Sequence, residues 1–231
     1  MNRIKTLKLG CIPASNTILL TGILLLIWAF GSYLIYILTT QSPILCFPPF
    51  SGCTSISNAG DYPFSGLFYR SLILPLAPLL GLSMYFIIQF LKKINPHIHS
   101  NIKHTLFALG CIILPISLII TEAFKDGHRS HPSYIIELHV LFAGIAFLTL
   151  IIFQVIASFQ LLKAQNSIFY KFIFFFSLLP IMLIMLQLLT HIQHINDIVE
   201  WNVFTVVIIW NILIGLRMRK YKESSLEANK Q

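Results

Sequence analysis

The stretch "ILLTGILLLIWAF", residues 18–30, decides the fold class. It carries no charge and a single hydroxyl, Thr21. Its apolar residues run on without the apolar–polar alternation that a transmembrane barrel strand requires. Extended in both directions it becomes an apolar run over 17–39. Roughly 20 apolar residues in a helix cross the hydrocarbon core of a bilayer. Five further runs of this kind follow, over 67–91, 105–123, 134–162, 169–189 and 198–216. The chain of 231 residues is 56% hydrophobic and only 10% charged, where soluble domains carry about 25% charged residues. These features predict an all-α, polytopic protein: one domain, 1–231, built as a six-helix transmembrane bundle.

The basic residues orient it. Arg3, Lys5 and Lys8 precede the first run, Lys92, Lys93 and Lys103 lie in the second loop, and Lys163 and Lys171 in the fourth. Arg217, Arg219, Lys220, Lys222 and Lys230 follow the last run. Only Arg70, Lys125 and Arg129 of the 16 Lys and Arg fall on the other side. The positive-inside rule then places both termini, and the tail 217–231, in the cytoplasm. The net charge of +8 is thus a topology signal, and no nucleic-acid partner is expected. The N-terminal run is longer than the core of a cleaved signal peptide, so it is read as an uncleaved first helix.

One long loop, 41–66, stands on the outer side. Pro43, Pro48, Pro49, Gly52, Gly60 and Pro63 mark it as turns rather than helix. Phe47, Phe50, Tyr62 and Phe64 argue that it packs over the bundle. Cys46 and Cys53 both lie in it. They form a disulfide if that side is oxidising, and are two small loop residues if it is not.

Ionisable side chains are costly inside a membrane and therefore informative. The span middles have none; the middle of the fourth offers only Gln154 and that of the sixth only Asn211. The outer level is different. Arg70, Glu122, Glu137, His139, His191, His194, Asp197 and Glu200 all sit at span ends, and Asp61, Asp126, His128 and His131 in outer loops. A bundle would gather these around a shallow pocket at head-group depth. Each also has a plainer role: Asp197 as the N-cap of the last helix with Glu200 three residues on, Trp201 as an interfacial aromatic, Arg70 snorkelling to head groups. Glu137 and His139, two apart, face different directions on a helix. No spacing matches a zinc pattern, so neither a metal nor any other cofactor is expected.

"CTSISNAGDYPFSGLFYRSLILPLAP" resembles the first luminal loop and second helix of the Frag/DRAM/Sfk family of autophagy modulators and GPI-anchor lipid remodelling factors. Ser55, Ile56, Ser57, Gly60, Pro63 and Arg70 carry that resemblance. "ELHVLFAGIAF" resembles the family's fourth helix through His139, and "IVEWNVF" its sixth through Glu200 and Trp201. The resemblance implies a six-helix protein with cytoplasmic termini that acts on or responds to membrane lipid.

Together these readings predict a multi-pass protein of a plasma, inner or endomembrane that recognises or helps remodel a lipid at the outer or luminal leaflet. Arg70 would pair with phosphate, and Ser55, Ser57 and Asn58 would donate hydrogen bonds. Glu137 and Trp201 would complete the head-group site. His139 and Glu200 would bind a polar head or act as general acid and base. A non-enzymatic regulator or scaffold, and a lipid or small-molecule transporter, are the alternatives.

Overall fold

The computed structural model describes residues 8–9, 12–40, 46–95, 101–124, 133–190 and 193–228. A minimal antiparallel ladder, β1 (Lys8–Leu9) on β2 (Ile12–Pro13), precedes the helices. Then come α1 (Ala14–Thr40), α2 (Pro48–Ser51), α3 (Ile56–Ala59), α4 (Pro63–Ile94), α5 (Asn101–Ala123), α6 (Ser133–Ala164), α7 (Ile168–Thr190) and α8 (Gln193–Ala228). Each expected span lies inside one of the six long helices. Among the described residues, five helices are long and apolar enough to cross a membrane; in α5 the apolar part, Phe107–Ala123, is shorter. The chain is thus all-α and has the make-up of a multi-pass membrane protein.

Two local expectations need correction. The loop 41–66 contains helix as well as turns. Pro48 and Pro49 preset the backbone of α2 at its first positions. Gly52, at φ 56°, closes that turn in the left-handed region where a side chain is disfavoured. Ser55 caps α3 by accepting the Asn58 N–H at 2.9 Å. Pro63 opens α4 well before the apolar run begins. Second, α8 starts at Gln193, so Asp197 lies within the helix and is not its N-cap. Beyond its apolar span α8 continues through the tail as far as Ala228, because this stretch holds no Gly or Pro and is rich in Arg, Lys and Glu, which favour helix.

Each long helix packs on the next, and α8 returns to α1. The core lies inside this ring and includes Ile18, Leu25, Trp28, Leu76, Leu80, Ile87, Leu114, Trp201 and Ile208. In its span α8 is 61% buried and α7 only 17%, the most and the least buried of the five spans. The outward apolar side chains of α7, such as Met182, Met185 and Leu189, are the surface that lipid covers in such a protein. Several buried hydroxyls turn back on their own helix: Thr21 to the Thr17 carbonyl at 2.8 Å, Ser32 to Trp28 at 2.6 Å, Thr121 to Ser117 at 2.8 Å. That satisfies them without a partner from lipid.

The α1–α8 contact is set by small residues, as helix pairs in lipid commonly are. A Cβ on Gly215 would stand 2.9 Å from the backbone nitrogen of Leu19, and one on Gly22 would stand 2.8 Å from Ile212. At Gly144 a Cβ would meet nothing within 4 Å. Gly215→Ala should therefore lower stability by about 1–3 kcal/mol through forced separation of two backbones. Gly144→Ala should leave it unchanged or slightly raised. Thermal unfolding of the purified protein in detergent checks both. Equal effects at the two positions would contradict the close α1–α8 crossing.

Candidate functional site

The site lies at the end of the bundle where α1 finishes and α4 and α8 begin, beneath the α2–α3 segment. That segment is strapped down by side chains from two long helices. The Tyr33 hydroxyl of α1 donates to the Cys46 carbonyl at 2.5 Å. The Trp201 indole of α8 donates to the Thr54 carbonyl at 2.8 Å, and Asn202 Nδ2 to the Pro49 carbonyl at 2.7 Å. Cys46 and Cys53 are joined through their sulfurs, with Cα atoms 6.6 Å apart. The Tyr33 oxygen lies 3.4 Å and 3.8 Å from those sulfurs. Phe30 and Tyr33 pack their rings on Trp201 at 5.2 and 5.7 Å. Irregular backbone near a membrane must be satisfied within the protein, and these bonds do that.

Under the strap is a cleft of about 40 Å³, room for roughly three water molecules. Its deeper wall is apolar: Leu25, Ile73, Leu80, Leu118, Phe147, Leu150 and Phe204. Ser57, Tyr69, Thr121, Glu122 and Glu200 make the polar part of the lining. Tyr69 is buried and its hydroxyl hydrogen-bonds Glu122, with Glu200 and Asp61 close enough to act on it electrostatically. The Trp28 indole donates to the Tyr69 carbonyl at 3.1 Å and fixes α4 against α1 at this depth. Two carboxylates and a phenol around one small space can hold a cation, an amine or hydroxyls, or relay a proton among themselves.

The expected site residues divide into four groups. Ser57 and Glu200 line the cleft. His139 is half-buried beside it, its Nδ1 2.9 Å from the Thr121 carbonyl. A carbonyl only accepts, so Nδ1 carries the proton, and Nε2 is the basic nitrogen of the neutral ring. Ser55 and Trp201 are buried and spend their polar atoms on the loop, as the α3 cap and the strap. Asn58, Arg70 and Glu137 are exposed and do not line the cleft. Asp126, His128, His131 and His191, and the side chain of His194, lie outside the described residues. Among the described residues, no group of three His, Cys, Asp or Glu side chains gathers to hold a metal. Tyr69, Trp28 and Thr121 were not singled out from sequence. For Tyr69 and Thr121 the only signal was polar character near the outer end of otherwise apolar runs; Trp28 is mid-run and carried none.

The chain matches no family model, and no curated protein or solved structure matches it.

The strap has two checks. Trp201→Phe removes one donor and leaves the Thr54 carbonyl unbonded, so it should cost about 1–3 kcal/mol and speed hydrogen exchange across residues 54–59. A maleimide added to the unfolded, unreduced chain should label two of the four cysteines, and all four after reduction. Labelling of all four before reduction would contradict the Cys46–Cys53 link.

Proposed function

We propose that all six long helices cross the membrane, with both termini cytoplasmic, and that the cleft recognises a lipid at the outer or luminal leaflet. The observation that carries this reading is the cleft's composition. An apolar shaft lies against a lining patch that holds Ser57, Tyr69, Glu122 and Glu200, the pattern an amphiphile needs. The basic asymmetry of the loops supports the orientation. The resemblance of the loop 1, α6 and α8 stretches to the Frag/DRAM/Sfk family supports the same reading.

The chemistry of the lining narrows the mode. Carboxylates repel a bare phosphate, so the phosphate belongs outside the cleft, at exposed Arg70, whose planar fork suits it. The cleft then takes an amine- or hydroxyl-bearing part of the head. Its small volume admits only a few heavy atoms. In a remodelling reaction Glu200 would serve as base and His139, through Nε2, as its acid–base partner.

A regulatory, non-enzymatic role is the second reading. It is favoured by the tie between His139 and the Thr121 backbone and by the structural use of Trp201 and Ser55. Lipid mass spectrometry of membranes expressing wild type, Glu200→Gln, Arg70→Ala and empty vector separates the two. A lipid species altered by wild type and not by Glu200→Gln marks chemistry in the cleft. Lipid that copurifies with wild type, falls several-fold with Arg70→Ala and is chemically unaltered marks binding alone. No enriched or altered lipid, with all proteins folded, rejects both lipid roles.

A further inference from the structure

Below the cleft lies a second, smaller cavity, in the middle of the bundle. The two share Leu80 and Leu150 as a common wall. The lower one is bounded by Gln154 of α6 and Asn211 of α8, the amide side chains in the middle parts of their spans. Both are buried, at 2% and 4% exposure. Among the described residues, neither Oε1 nor Nε2 of Gln154 has a hydrogen-bond partner. Asn211 gives Nδ2 to the Val207 carbonyl of its own helix at 2.9 Å, which leaves its Oδ1 to accept from elsewhere. The neighbouring Trp210 has committed its indole N–H to Ser158 at 2.8 Å.

A buried amide with no partner is unfavourable in any apolar setting, and most of all at mid-depth in a membrane protein. The cavity measures about 10 Å³, the space that one water occupies. It is too small for a lipid fragment, and no carboxylate lines it to neutralise a metal cation. We infer that this cavity is a binding site for a single water molecule that bridges Gln154 to Asn211. Such a water accepts from Gln154 Nε2 or donates to its Oε1, and donates to Asn211 Oδ1, within the two to four bonds a buried water makes. It ties α6 to α8 beside the direct Trp210–Ser158 bond, and it sits under the floor of the cleft.

The test uses the full chain, purified in detergent or nanodiscs. A structure that resolves ordered waters should show one peak at about 2.7–3.2 Å from the Gln154 amide and from Asn211 Oδ1. No peak beside ordered side chains, or a direct Gln154–Asn211 bond, overturns the inference. Thermal unfolding of Gln154→Met, Asn211→Leu and the double variant provides a second arm. A shared water requires Gln154→Met to lower Tm, and the double variant to fall no further than the worse single one. A Tm raised by Gln154→Met, or additive losses, overturns it. If Gln154→Met does not fold, the structural arm decides.

Discussion

A peptide group that faces hydrocarbon has no water to bond, so its partner must come from the same chain. This constraint accounts for most of what is seen. It makes every long element a helix. It turns Thr21, Ser32 and Thr121 back onto carbonyls four residues earlier. It also keeps irregular backbone to the ends of the bundle, outside the apolar spans.

One of these ends shows how the constraint shapes a site. Residues 46–62 are too irregular to satisfy themselves, so α1 and α8 lend them donors: the Tyr33 hydroxyl, the Trp201 indole and the Asn202 amide. The price is that Trp201, expected to meet lipid, is buried. The gain is position. With Thr54 held by Trp201 and α3 capped by Ser55, Ile56 and Ser57 become one wall of the cleft. Residues far apart in sequence, in the "TSIS" and "EW" stretches, thus meet through the Thr54 carbonyl.

The cleft itself is mostly apolar, with two carboxyl groups in its lining, where a phosphate site was expected. Glu122, Glu200 and the Tyr69 hydroxyl sit together, while Arg70, one residue from Tyr69, is exposed. Successive residues on a helix point about 100° apart, so neighbours in sequence serve different surfaces. A head group read by both would have its charges divided between the rim of the bundle and its interior.

The sequence alone determined the apolar spans, the basic asymmetry of their loops and the crowding of polar residues at one end, because each follows from composition along the chain. It also marked Gln154 and Asn211 as unusual at mid-span. It did not determine which residues face inward. In a soluble helix the polar face reports the rotation about the axis; in these helices both faces are apolar, and that signal is lost. Rotation is set by contacts between helices: Gly215 against the Leu19 backbone, Trp28 on the Tyr69 carbonyl, Trp201 on Thr54. Those contacts placed Tyr69, Glu122 and Glu200 around one cleft and left Arg70 and Glu137 outside it. They also set Gln154 across a cavity from Asn211. Packing of side chains from different helices decided the site, because no single helix carries the information.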